Sequence, residues 1–283
     1  MTSLSDTAVM EAHDLKKVLK DILAGEKAWE KENEILLVNS MLEHIGSLDS
    51  ELRDGLIYGT FSKLILEKEL DQELLIEILT SCLAANRLFK GIGETETDTV
   101  FTRSFTTLLI ALILHRNSEE DFLSSDMVFE IKEKLISYIG LENDLRGFVM
   151  GKGWAHSIAH VADAFDELIK NKYIHQDFYL EVLKALWNKA LVSNAIYIHD
   201  EEERILIPIV KMLNRGLEHK LIVDLLRNIP LRLEEQKRRI EEENYWILYA
   251  NCKKFLKSFY IKIADDKNFS SLKKSIKTCL LEI

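Results

Sequence analysis

The sequence is poor in the residues that interrupt regular structure. Its 283 residues include 2 prolines and 11 glycines, together less than half the usual share of roughly 12%. Folds assembled from many tight turns are therefore not expected. Cysteine is also scarce: Cys82, Cys252 and Cys279 are spread along the chain without a CxxC pair, which excludes a disulfide framework and a zinc knuckle. No apolar run approaches the roughly 20 residues that cross a bilayer. The opening MTSLSDTAVMEAHDLKK lacks the basic-then-apolar order of a secretory signal. The expectation is a cytoplasmic protein without a membrane span, its cysteines reduced and buried.

What the chain does have is 47% apolar and 30% charged residues, with a net charge of −10. That is enough to bury a full core and remain in solution. Apolar residues recur at intervals of three and four, as in Leu15, Val18, Leu19, Ile22, Leu23 and in Leu74, Leu75, Ile78, Leu79, Leu83. This is the helical period, and alternation with period two is nearly absent, so the fold class is all-α. Helices are expected near 5–24, 29–45, 50–68, 72–90, 98–116, 126–139, 153–170, 177–193, 201–215, 218–228, 231–262 and 270–281. Gly25, Gly46, Gly140 and Gly216 stand where left-handed C-caps are wanted, and Asp49, Asp71, Ser118, Ser125, Asp200 and Ser270 open the runs that follow. Pro208 should kink or divide its helix. Short breaks between helices fit stacked helical hairpins, an irregular HEAT-like α-solenoid, with a globular helical bundle as the alternative. No linker divides the chain, so 1–283 reads as one domain, with 231–283 as C-terminal helices that end in a basic stretch.

Charge is unevenly placed. Residues 253–277 hold eight lysines against Asp265 and Asp266, a local excess of six positive charges, with Phe255, Phe259 and Tyr260 interleaved. Nucleic acid or membrane contact is one reading. The preferred one is a solvated lysine face on a helix whose aromatics point into the core, because an acidic whole argues against a dedicated nucleic-acid binder.

The chemistry-bearing stretch is 144–168, DLRGFVMGKGWAHSIAHVADAFDEL. On a helical wheel Trp154, Ile158, Val161, Phe165 and Leu168 form an apolar stripe, which makes Trp154 a core anchor, while His156, His160, Asp163 and Glu167 line the opposite side. Two histidines one turn apart can aim at one point, so a divalent metal held by His156, His160 and Asp163 is one reading. The competing reading is a histidine pair held by acids one turn away. Gly151-Lys152-Gly153 would lie at the helix N-terminus, where free amides, Lys152 and Arg146 attract a phosphate or carboxylate. It is not a P-loop.

Two further segments share this character: GIGETETDTVFTRSF (91–105) with Arg103, and HDEEERI (199–205) ahead of Arg204. Thr95 with Asp98, and Asp200 with Glu203, also have capping-box spacing. No GxSxG is present and Cys82 lies in an apolar run, so acyl transfer is not expected.

Taken together, Gly91, Gly93, Glu94, Thr97, Asp98, Val100, Phe101, Arg103, Ser104 and Phe105, then Asp144, Arg146, Gly147, Gly151 to His156, His160 and Asp163, then Glu201, Glu203 and Arg204 resemble a bacterial family catalogued as domain of unknown function 2785. The resemblance spans about residues 45–215, and Glu202 stands where the family's last motif reads Asp. It implies no activity, only that these polar segments form a shared feature and converge on one groove.

Three functions follow. The first is a helical-repeat binding protein whose groove, lined by Asp98, Arg103, Asp144, Arg146, Lys152, Trp154, Glu203 and Arg204, holds a peptide, a protein or a small anionic ligand. The second is a metal-dependent hydrolase in which His156, His160 and Asp163 hold the metal, with Lys152 and Arg146 orienting an anionic substrate. The third is a structural salt-bridge network that holds neighbouring hairpins in register.

Overall fold

A computed structural model describes residues 8–283. Among them the chain forms twelve α-helices and a single two-stranded hairpin, so the protein is all-α. No helix among the described residues is long and apolar enough to cross a membrane. The chain divides into two compact units, one ending at Glu167 and the other running Leu168–Ile283.

The first unit holds α1 (Ala12–Leu23), α2 (Glu34–Glu43), a π-helical stretch Glu51–Tyr58 that runs into α3 (Gly59–Leu66), α4 (Gln72–Cys82), α5 (Thr99–Glu120), α6 (Ser125–Leu141), the strands β1 (Phe148–Val149) and β2 (Gly153–Trp154), and most of α7 (Ser157–Lys170). Helix α5 is buried almost all round, and α3 and α4 pack on it. Residues 100–114, VFTRSFTTLLIALIL, explain this, since every position but Arg103 is apolar or a small hydroxyl. The hydroxyls satisfy themselves within the helix: Thr106 Oγ1 donates to the Thr102 carbonyl at 2.7 Å and Thr107 Oγ1 to that of Ser104 at 2.7 Å. The second unit holds α8 (Gln176–Ala190), α9 (Glu201–Asn214), α10 (His219–Gln236), α11 (Glu242–Lys262) and α12 (Ser270–Glu282). Here α9 packs on α8 and α11, and α12 on α10 and α11, around Trp187, Phe255 and Phe259.

Several local expectations hold. Asp71 accepts a hydrogen bond from the Leu74 amide, Asp49 accepts from those of Glu51 and Leu52, and Gly25 and Gly216 are left-handed at φ 75° and 100°. Others do not. Ser118 lies inside α5, which closes on left-handed Asp121, and the cap of α6 is Ser124 rather than Ser125. Gly140 is inside α6, and Asp200 precedes α9 without a side-chain cap. Gly46 lacks a positive φ; it is small because α5 passes so close that a Cβ would collide with Thr102. Neither proline ends a helix. Pro208 sits within α9 and Pro230 within α10, and the break expected at 229–230 falls at 237–241 instead. One missing amide donor is outweighed where the same helix buries Ile205, Ile209 and Met212, or Leu226, Ile229 and Leu233. The helix expected over 72–90 stops at Cys82, and residues 5–7 of the first expected helix lie outside the described residues.

The correction with most bearing on function concerns the helix expected from residue 153. It begins at Ser157. Gly151, Gly153 and His156 all take positive φ, at 76°, 80° and 47°, a conformation that an α-helix cannot contain. The chain pairs back on itself there, with Phe148 opposite Trp154 and Val149 opposite Gly153. Gly151-Lys152-Gly153 is thus the turn of a hairpin, and the Lys152 amide closes it on the Val149 carbonyl at 3.0 Å. There is no helix N-terminus at Gly151-Lys152-Gly153, and the anion site inferred there loses its amides.

Candidate functional site

The hairpin lies against the start of α5. Val149 packs on the buried trio Val100, Phe101 and Ala155. Beyond the two strand pairs the ladder continues, as the Ala155 amide donates to the Gly147 carbonyl at 2.8 Å and the His156 amide to that of Arg146 at 3.1 Å. Gly153 touches the start of the π-helical stretch, where a Cβ would stand 2.8 Å from Ser50 Cβ and 3.1 Å from an Arg53 nitrogen.

Charged side chains fasten this arrangement. Arg103 and Glu142 are both fully buried and form a two-point pair, Nε to Oε2 at 2.5 Å and Nη2 to Oε1 at 2.8 Å. Arg103 also donates to Thr99 Oγ1 at 2.9 Å and to the Lys90 carbonyl at 3.3 Å. Burial opposes its charge, but the hydrogen bonds and field of Glu142 outweigh that and leave the guanidinium raised. Glu142 Oε1 further accepts the Asp144 amide at 2.8 Å. Asp144, itself buried, takes two bonds from Arg146, at 2.8 and 2.6 Å, while Arg146 reaches the Thr97 carbonyl at 2.8 Å. Lys152, at the hairpin turn, meets both oxygens of Asp98 at 2.6 and 2.8 Å. Asp98 therefore holds the hairpin rather than capping α5, and the capping partner expected for Thr95 is engaged elsewhere. Thr97 and Thr99 give their hydroxyls to Glu94, whose carboxyl is held below its ordinary range by those two bonds.

Arg53 completes the fastening and was not foreseen. It is fully buried and lies over the rings of Phe101 and Phe105, at 4.4 and 4.9 Å from their centroids. It donates to the Ser47 carbonyl at 2.6 Å and to the Lys152 carbonyl at 2.8 Å. Its Nε stands 2.7 Å from Asp54 Oδ1, an ion pair by distance though not by hydrogen-bond angle. One cation thus joins the π-helical stretch, two aromatic faces of α5 and the hairpin backbone.

The histidines are near one another without sharing the geometry expected of them. His156 precedes α7, and its carbonyl accepts the His160 amide at 2.9 Å, so it is the residue that starts the helix and not one on its face. The rings are 5.8 Å apart. Ser104 Oγ donates to the Ala155 carbonyl and lies 2.8 Å from His160 Nδ1. Ser104 is fully buried, which excludes it as an exposed nucleophile. Asp163 sits half-buried on α7. Among the described residues, Asp200, Glu202 and Glu203 form a group of acid ligands whose donor atoms lie within 4.8 Å of one another. Trp154 is no core anchor. It is 40% exposed and packs edge-on against Phe148 at 5.1 Å and His156 at 4.3 Å. With Phe148 47% and Met150 88% exposed, it forms an apolar tip on the hairpin.

The first two motif segments therefore meet in the first unit, whereas Glu203 and Arg204 belong to the second. There the buried residues are Glu201 and Glu202, while Glu203 is exposed. Glu202 accepts from Ser258 Oγ at 3.2 Å and pairs with Lys254 at 3.1 Å, and Lys254 also lies 3.5 Å from Asp200. Lys254 thus meets two of the three carboxylates, those of Asp200 and Glu202.

Residues 88–261 match the family described as Protein of unknown function (DUF2785). The chain belongs to that family. The match begins later and ends later than the expected 45–215, yet it takes in all three motifs, including every residue of the Arg103, Asp144 and Lys152 pairs. Arg53, the cation beneath the DUF2785 hairpin, lies outside it. No curated protein and no solved structure matches the chain.

Proposed function

We propose that this DUF2785 member is a recognition module whose working surface is the hairpin tip, with the ion pairs beneath serving as its clamp. The partner is a peptide or protein segment that presents apolar side chains. The observation that carries this reading is the division of labour across the hairpin. Arg103, Arg146, Lys152 and Arg53 face carboxylates of the same chain, whereas Phe148, Met150 and Trp154 point to solvent. Large apolar side chains held on a rigid frame bind with little loss of conformational freedom, which is why aromatic residues and methionine are enriched at interfaces. A small anionic ligand fits less well, because it would have to displace Asp144 from Arg146 and Asp98 from Lys152. The same proposal takes the flanking helices as an irregular HEAT-like stack of hairpins that carries the tip.

The test is selection from a random peptide display library against the purified chain, followed by solution titration of the selected peptides. Met150→Ser removes the most exposed apolar side chain without touching a buried group, and it should weaken binding about tenfold or more, in line with loss of a buried anchor. Peptides that bind the variant as well as the wild type, or a selection that enriches none, would overturn the proposal.

A further inference from the structure

The lysine-rich stretch shows a second surface, independent of the hairpin. Its buried aromatics behave as expected, with Phe255 and Phe259 fully enclosed. The last turn of α11 does not. Ile261 is 72% and Tyr260 38% exposed, and both share a face with Lys257 at spacings of three and four. Lys257 and Lys262 are exposed on the same turns of α11, and Lys267 and Lys274 are exposed on the segment that follows. Among the described residues these four form no ion pair, unlike Lys254, which lies against Asp200 and Glu202. Lys273 brings the start of α12 against the end of α11 by donating to the Ala264 carbonyl. Within this stretch the acids are Asp265 and Asp266, Asp266 being occupied in capping the Asn268 amide at 2.8 Å, while Glu202 of α9 accepts from Ser258 beside Lys257. In a chain of net charge −10, this end of the second unit is locally cationic and carries an exposed aliphatic side chain, Ile261.

We propose that this end, from Lys257 to Lys274, docks on the surface of an anionic lipid bilayer. Ile261 and Tyr260 enter the boundary between headgroups and acyl chains, and the four lysines lie against the anionic headgroups. The most exposed apolar side chain of the patch, Ile261, decides between a bilayer and the other extended polyanion, a nucleic acid. Isoleucine has no π-face on which a base could stack, whereas hydrocarbon burial rewards it directly. Tyrosine is at home at the membrane interface. Lysine clusters are the usual electrostatic element of such docking, each lysine contributing about fivefold in affinity near an anionic surface.

The full chain is sedimented with vesicles of phosphatidylcholine containing about 30% phosphatidylserine, and with phosphatidylcholine vesicles alone, across a salt series. The wild type should bind the anionic vesicles and lose that binding as salt rises above about 0.1 M. The double variant Lys257→Gln, Lys262→Gln should bind about twentyfold or more weakly with a shallower salt dependence. Ile261→Ser should bind about tenfold more weakly with its salt dependence unchanged. All three positions are exposed, so the variants should fold, and unchanged circular dichroism and melting verify it. Absence of vesicle binding at low salt, equal binding to neutral vesicles, or an Ile261→Ser variant indistinguishable from the wild type would each overturn the proposal. Tighter binding to a DNA or RNA strand that ignores Ile261→Ser would assign the patch to nucleic acid instead.

Discussion

Replacing Arg103 with methionine should destabilise the first unit by about 3–5 kcal/mol, the range for stranding one partner of a buried ion pair. Methionine approximates the length and apolar stem of arginine, so the loss would arise mainly from charge. Glu142, fully buried, would give up its bonds to Arg103 at 2.5 and 2.8 Å and keep the Asp144 amide at 2.8 Å. Thr99 Oγ1 and the Lys90 carbonyl would lose a donor as well. At about 2–4 °C per kcal/mol for a unit of this size, the midpoint should fall by about 6–20 °C. Urea unfolding followed by circular dichroism measures it. The decisive comparison is the double variant Arg103→Met, Glu142→Gln. Neutralising the stranded carboxylate should restore about 1–3 kcal/mol relative to Arg103→Met alone, because an unpaired buried charge costs more than an unpaired buried amide. An Arg103→Met variant within about 1 kcal/mol of wild type, or a double variant no more stable than the single, would refute the assignment of Arg103 and Glu142 as the central clamp. Lys152→Met provides the internal control. Its pair with Asp98 is 37% and 40% exposed, so the change should alter stability by less than about 1 kcal/mol.

Three further outcomes are expected. Gly153→Ala should destabilise more than Gly151→Ala in thermal melts: both are left-handed, which strains alanine by about 1–2 kcal/mol, but only at 153 does the added Cβ meet Ser50 at 2.8 Å, and equal losses would refute the close packing. The thiols of Cys82 and Cys252, pushed by burial up to about 12, and of Cys279, up to about 11, should leave about 0.1% thiolate or less at pH ~8 and resist a thiol reagent until the chain is denatured; rapid labelling of the native protein would contradict this. Burial raises the Asp54 carboxyl above its ordinary 3.8 against the pull of Arg53, so the folded state keeps that proton to higher pH than the unfolded chain. Its contribution to stability is full below 3.8 and is lost as pH rises through the raised value. Asp54→Asn should therefore flatten the wild-type decline just above that point, and an unchanged slope in urea titrations would count against the burial of Asp54.

The motif residues were legible where their chemistry is unusual for a helical surface. Arg103, Asp144, Arg146 and Lys152 stood out among glycines and acids at 91–105 and 144–153, and all four proved to be paired within the first unit. Their most important partners were not legible. Glu142 sits in LENDLRG, between two expected helices, and Arg53 in SELRDG, in the first turn of the helix expected over 50–68, and nothing local marks either side chain as fully buried. Trp154 and His156 were misplaced for a different reason. A helical wheel assumes that the helix is present, and three residues with positive φ at 151, 153 and 156 end that assumption. Two of them are glycines, which was the available sign.

Periodicity is a relation between residues three and four apart, so the linear order of amino acids by itself determined that this chain is helical, where most of its buried apolar stripes lie and that its cysteines are buried. Which charges are consumed and which apolar groups remain on show depends on contacts at far greater separation. Arg103 meets Glu142 across 39 positions, Lys152 meets Asp98 across 54, and Arg53 reaches the Lys152 carbonyl across 99. Only the path of the folded chain brings those groups within 3 Å, and at that range pairing and desolvation, not composition, decide what each side chain can do.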